Sequence, residues 1–174
     1  MSQISAIVGT MYSGKSSVLI RLYNKCTILD KLMVKHSMTN TTILCSHDNS
    51  VVENCHLTNF LLPFVTFTKS KNLFVDEGQF FIDLPEACIY ARNNGINIWF
   101  SSLLADFRQI IFQNVAETLP YCDIIQLNRC PCVCGDVAVV NMRSKNCDSQ
   151  DLLLLDDGSN YFISCLKGGC LSRK

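Results

Sequence analysis

Charge is scarce in this 174-residue chain: 17% of residues are charged and the formal net charge is zero. No basic stripe appears, which excludes an electrostatic grip on DNA or RNA and argues against a nucleic-acid partner. No apolar run reaches the roughly 18 residues that a membrane-spanning helix requires, so no membrane partner is expected. The opening "MSQISAIVGT" has neither the basic region nor the cleavage site of a secretory signal, and a cytoplasmic location is expected. Internal repeats and low-complexity tracts are also missing. What is present is 48% hydrophobic residues, enough for a substantial core.

Cysteine is the exception to this sparseness, with eleven residues. An odd count in a reducing compartment fits poorly with a disulfide framework. Cys26, Cys45, Cys55, Cys88 and Cys122 are scattered and are expected to fill core positions. Six more, Cys130, Cys132, Cys134, Cys147, Cys165 and Cys170, crowd into the C-terminal quarter and read as metal ligands. His36, His47 and His56 lie far from them in sequence and are expected on the surface or in loops.

Strand and helix patterns alternate up to residue 127. "ISAIVG" (4–9) reads as a buried strand, and the spacing of Val18, Leu19, Leu22, Tyr23, Cys26, Leu29, Leu32 and Met33 predicts a helix over 15–33. Strands are expected over 41–46, 72–77, 96–102 and 122–127. Residues 47–70 are ambiguous, with Pro63 interrupting a possible strand. Asp83 is expected to cap a helix over "LPEACIYARNNG", with Glu86 completing a capping box. A weak helix is expected to end near Leu119. This alternation predicts an α/β fold, a parallel sheet flanked by helices, over 1–127. Short strands over 137–142, 151–156 and 160–165 predict a small β module over 128–174.

"GTMYSGKSS" (9–17) satisfies G-x-x-x-x-G-K-[ST] between a strand and an amphipathic helix. Gly9 and Gly14 permit a tight backbone, and the amides from Met11 through Tyr12, Ser13 and onward to Ser16 can face phosphate oxygens. Lys15 would reach the β- and γ-phosphates of ATP, and Ser16, with Ser17 beside it, lies where Mg²⁺ binds. "NLFVDE" supplies the acid that such a site needs at a neighbouring strand end. Asp76 is the Mg²⁺ candidate. Glu77, facing another way, is the candidate general base for a hydroxyl acceptor.

From "FVDEGQFF" (74–81) onward the chain resembles the type II thymidine kinase family, the zinc-containing cytosolic and viral branch. The phosphate loop is similar to that family's Gly-Pro-Met-Phe-Ser-Gly-Lys-Ser/Thr. "DEGQFF" matches its Asp-Glu-Gly/Ala-Gln/His-Phe-Phe, and "SLLADFRQIIF" (102–112) keeps Leu103, Phe107 and Phe112 of its next segment. Pro120 follows in step, "CGDVAVVNMR" resembles the stretch after the second zinc cysteine, and "NYFISC" resembles the Tyr-x-x-x-Cys before the last ligand pair. The resemblance spans nearly the whole chain. It implies ATP-dependent phosphorylation of the 5′-hydroxyl of thymidine or deoxyuridine, a homotetramer, and feedback binding of thymidine triphosphate.

Position by position, the resemblance makes Glu77 the base. It puts Met11, Phe80, Leu103, Phe107, Phe112, Asn141 and Tyr161 around the nucleoside, and Asp48 near the phosphates. A lasso loop near 152–160 would close over the base. A structural Zn²⁺ would be held by Cys134, Cys165, Cys170 and one further thiol. Alignment places that fourth ligand on Pro131, so Cys130 or Cys132 must serve; Cys130, which keeps the Pro-following knuckle, is favoured over the tighter Cys-x-Cys. Cys147 is a reserve.

The departures from the family are Thr10 for Pro, Val18 for Glu, Leu104-Ala105 for Asp-Gly, Ser50 for Arg and Asn141 for Thr. Arg108 is a candidate replacement cation. Altered base choice, or a degenerate nucleotide-binding relative, remains an alternative to an active thymidine kinase.

Overall fold

The computed structural model describes residues 2–46, 48–144, 160–167 and 170. His47, Cys147, the expected strand over 151–156 and all but the last residue of the lasso segment 152–160 lie outside the described residues.

In chain order the elements are β1 (Ile4–Gly9), α1 (Lys15–Lys25), β2 (Lys31–His36), β3 (Leu44–Cys45), β4 (Val51–Val52), β5 (His56–Thr58) and α2 (Leu61–Phe67). Then come β6 (Asn72–Val75), α3 (Leu84–Asn93), β7 (Asn97–Leu103), α4 (Gln113–Thr118), β8 (Ile124–Asn128), β9 (Val140–Arg143) and β10 (Tyr161–Ser164). Six strands form one parallel sheet in the order β5-β2-β6-β7-β1-β8. The expected parallel α/β fold is therefore present. β1 is paired on both sides, so all six of its residues are buried. Its side chains alternate between two layers. Ala6 and Val8 pack with Leu84, Ala87 and Val115 under α3 and α4, while Ile7 packs with Leu19 and Ile20 of α1.

The first helix is shorter than its apolar spacing predicts. α1 stops at Lys25, and residues 31–36 form β2, paired with β6. Lys31 explains the stop: its ammonium donates to the Tyr23 and Cys26 carbonyls at 2.6 and 2.7 Å, capping the helix end with positive charge. Leu29, counted on the helical face, is 99% exposed. The expected second strand over 41–46 reduces to β3, which pairs with β4 in a separate antiparallel hairpin. Pro63 does not break a strand but sits in the first turn of α2, where a missing amide costs nothing.

Asp83 does not cap its own helix. No side-chain bond caps α3; instead its two carboxylate oxygens accept from Leu61 N and Leu62 N at the start of α2, at 3.0 and 2.7 Å. The expected capping box with Glu86 is absent for that reason.

Beyond the sheet, β9 and β10 form an antiparallel pair, with Asn141 opposite Ile163. A tight turn precedes β9: Gly135 N bonds Cys132 O and Cys132 N bonds Asp136 O, with Gly135 at φ 90°. The buried centre of this module is Cys132, Ala138 and Cys170. Of the scattered cysteines, Cys55 and Cys88 are core residues and Cys26 and Cys122 are half-buried, but Cys45 is exposed, since β3 lies at the rim and not in the sheet. His36 ends β2 against Phe80 and Phe81, and His56 begins β5.

Candidate active site

The C-terminal ends of β1, β6 and β7 open onto one cavity of about 360 Å³. The parallel arrangement produces this convergence, because every strand delivers its following loop to the same edge. The phosphate loop leaves β1 at Gly9, where a Cβ would come within 2.2 Å of the Asn128 carbonyl of β8; only glycine tolerates that approach. Gly14 turns the chain into α1 at φ 76°, and Tyr12 also takes a left-handed conformation, φ 60°. The Thr10 carbonyl accepts from Ser13 Oγ and from Lys15 Nζ at 2.8 and 2.7 Å. Lys15 is thus held in place over the loop while buried. Burial lowers its pKa, and the charges of Glu77 and Asp76 oppose that fall.

Asp76 and Glu77 follow β6 and diverge as their positions on a strand end require. Asp76 is 3% exposed; its Oδ1 accepts from Ser16 Oγ at 3.0 Å and Ser101 Oγ at 2.5 Å. Desolvation, together with the charge of Glu77, raises its pKa to about 6. A buried carboxylate tied to the phosphate-loop serine beside a lysine is the donor set that a nucleotide-bound Mg²⁺ takes. Glu77 sits at φ 56°, an uncommon conformation for a residue with a side chain. Its amide donates to Ser101 Oγ, and its Oε2 accepts from Gln79 Nε2. Gln79 in turn accepts, at 3.0 Å each, from Ser102 Oγ and Leu103 N of β7. The carboxylate is therefore anchored to two adjacent strands.

The other side of the cavity is apolar and aromatic, with Phe80, Leu103, Phe107, Phe112 and Tyr161. Arg143 stacks on Phe107, 3.8 Å from the ring centre, and donates to the Tyr161 hydroxyl, joining β9, β10 and the loop after β7.

Of the residues expected at the site, Met11, Tyr12, Gly14, Lys15, Ser16, Ser17, Asp76, Glu77, Phe80, Leu103, Phe107, Phe112, Asn141 and Tyr161 line this cavity. Gly9 and Ser13 shape the loop from behind it. Asp48 does not line it. Its exposed carboxylate is engaged by Ser46 Oγ and Ser50 N, which hold its pKa below the usual value. Arg108 is not free to replace the missing arginine: its guanidinium pairs with buried Asp106 at 2.8 Å. Among the described lining residues, Lys15 is the one cation.

Sequence reasoning assigned no role to Gln79, Ser101, Asp106, Asn114 or Arg143. Asp106 folds the loop after β7 by accepting from Arg108 N and Ile110 N. Asn114 of α4 donates to the carbonyls of Gly78, Gln79 and Phe81, pinning the turn that carries Glu77. The quoted DEGQFF motif contained Gln79, and its polarity inside an otherwise aromatic turn was the available signal. Ser101, Asn114 and Arg143 have partners 18 or more residues away in sequence; Asp106 has near partners, but they are backbone amides of an irregular loop with no periodic pattern.

A second cluster lies in the module. The thiols of Cys132, Cys134, Cys165 and Cys170 are all within 4.8 Å of one another. Four thiolates around a tetrahedral zinc, at about 2.3 Å each, sit roughly 3.8 Å apart, so this set fits the ion. The favoured Cys130 is outside it: its Sγ lies 3.5 Å from Thr10 Oγ1 and donates to Met11 O at 3.5 Å. The reason is the turn. Cys132 opens the 132–135 turn, whereas Cys130 lies two extended residues, about 6–7 Å, back toward the phosphate loop.

A phosphate loop on a parallel sheet, a buried acid beside its serine and a second carboxylate facing an apolar recess define a nucleotide-dependent phosphotransferase. The family model described as thymidine kinase matches residues 2–167. The thymidine kinase of Choristoneura fumiferana entomopoxvirus is 30% identical over 172 residues, covering 92% of this chain and 91% of the relative. That of Yaba monkey tumor virus is 28% identical over 167 residues, 93% and 91% of the two chains. That of Raccoon poxvirus is 31% identical over 126 residues, 70% and 71%. The chain belongs to the thymidine kinase family. No described helix is long and apolar enough to cross a membrane.

Proposed function

We propose that the chain transfers the γ-phosphoryl group of ATP to the 5′-hydroxyl of thymidine, with deoxyuridine as the close analogue. The observation that carries this reading is that Lys15, Asp76 and Glu77 share one cavity with an aromatic recess. Lys15 and the loop amides hold the phosphates, and Ser16 and Asp76 would hold Mg²⁺, which would supply positive charge against the transferring phosphates. Glu77 accepts the proton from the 5′-hydroxyl as the bond to phosphorus forms, and ADP leaves. Phe80, Leu103, Phe107, Phe112 and Tyr161 enclose the nucleoside. Cys132, Cys134, Cys165 and Cys170 would hold a structural Zn²⁺, which would staple a C-terminal module, 128–174, beside an ATP-binding domain, 1–127. The family resemblance supports a cytoplasmic homotetramer subject to feedback inhibition by thymidine triphosphate.

The test supplies ATP with each deoxynucleoside in turn, to wild type and to Glu77→Gln. Thymidine turnover is expected in wild type, and kcat is expected to fall about 10²–10⁴-fold in the variant. No turnover with any nucleoside overturns the kinase reading, and unchanged turnover in Glu77→Gln removes it as the base.

A further inference from the structure

We propose that Asn141 is a positioning residue that ties the nucleotide side of the cavity to its nucleoside side; the proposal rests on the kinase reading of that cavity. Asn141 is 5% exposed and sits on β9, in the C-terminal module. Its Oδ1 accepts from Met11 N, in the phosphate loop, at 2.7 Å. Its Nδ2 donates to Ala105 O, in the loop after β7, at 3.0 Å. One backbone donor and one backbone acceptor face the amide, so a single orientation of the group satisfies both.

The two ends of this tie have different jobs. Met11 lies in the phosphate loop one residue before Tyr12, whose backbone is left-handed. The carbonyl of neighbouring Thr10 is already taken by Ser13 and Lys15. The Met11 amide is not served by the loop itself but from the module, and Cys130 approaches the Met11 carbonyl from the same side. Ala105 lies between Leu103 and Phe107, both of which line the apolar recess. Asn141 therefore sets the spacing between the wall that carries Lys15 and the wall that carries Phe107. Its polar atoms face backbone on both sides, so what it contributes to the nucleoside pocket is the pocket's width.

Such a tie makes each ligand's binding depend on the other. A ligand that orders one wall orders the second through the same amide, so bound thymidine tightens MgADP and the reverse holds by the same factor.

The experiment measures MgADP affinity by calorimetry, with and without thymidine, for wild type, Asn141→Leu and Asn141→Ser. Leucine keeps the size and removes both hydrogen bonds; serine is too short to reach both partners. Zinc content and thermal midpoint are measured alongside, with Leu73→Ala, a buried sheet position, as a variant that loses stability away from the site. The expected result is about tenfold weaker MgADP binding in Asn141→Leu, the scale of one lost hydrogen bond. The thymidine–MgADP coupling factor is expected to fall to one, zinc content to hold, and Leu73→Ala to keep wild-type affinities. Wild-type MgADP affinity and coupling in both Asn141 variants overturns the proposal. So does equal weakening in Leu73→Ala, which would reduce Asn141 to a general stability contact. If thymidine does not bind wild type, the kinase reading fails, while the MgADP measurement still decides the tie.

Discussion

Phe74, Phe81 and Phe100 in the sheet domain are each at most 1% exposed, whereas the buried cluster of the C-terminal module is Cys132, Ala138 and Cys170. The first region is held by apolar burial on both faces of a parallel sheet. Among its described residues the second has a two-stranded pair, one alanine and a ring of thiols. That described apolar centre is small, and the proposed metal on the four thiols would add to it the stabilisation that a bound ion gives a small module. The contrast has a functional edge, because the weaker region grips the chemistry of the stronger one: Asn141 and Cys130 hold Met11 of the phosphate loop.

The strongest way to break this contrast is to remove the metal ligands. Cys134→Ser, or chelation of zinc, is expected to lower kcat/KM for thymidine at least about 100-fold, as loss of a positioned wall does. The sheet's far-UV circular dichroism should remain. Metal analysis sharpens the same point. Cys132→Ser is expected to lose bound zinc and Cys130→Ser to keep about one per chain. The opposite pattern would return Cys130 to the ligand set.

Asp76 sharpens the comparison from the sheet side, since its carboxylate is buried at the end of β6. Its folded pKa is raised to about 6, chiefly by burial, against about 3.9 in an unfolded chain. The protonated form therefore stabilises the ligand-free fold below pH 4. That contribution is lost as pH rises toward 6 and is gone above it. Asp76→Asn should consequently raise the thermal midpoint of the ligand-free protein by several degrees at pH 7.5, at roughly 2–4 °C per kcal/mol for this chain length. The gain should shrink as pH falls below 6, and kinase activity should be lost throughout. Calorimetry from pH 5 to 8 checks the sign; a variant less stable than wild type at pH 7.5 would refute it.

The sheet domain was legible because its signals are contiguous. The phosphate loop and the strands β1, β6, β7 and β8 are each written in runs of four to nine residues, and the Asp76-Glu77 pair directly follows one of them. Several failures share one cause, a side chain acting away from its own element. Lys31 ends α1 by capping carbonyls five and eight residues back, while Leu32 and Met33 continue the helical spacing. Gln79, Asn114 and Arg143 build the site through partners up to 36 residues away, and polar residues carry no periodic signal. In the module the candidate ligand type could be read from composition, but whether Cys130 or Cys132 joins the thiol cluster depended on where the chain turns.

Asp83 gives the smallest effect and a clean test of that lesson. Read from sequence, it caps α3; in the structure its carboxylate serves Leu61 N and Leu62 N of α2. Replacing a capping carboxylate costs about 1 kcal/mol, so Asp83→Ala should lower the unfolding free energy by that much with zinc content unchanged. Hydrogen exchange locates the loss. Faster exchange is expected at the Leu61 and Leu62 amides, because their acceptor is gone, with the first turn of α3 unaffected. Equal exposure of α3 would restore the local cap and remove the long-range one.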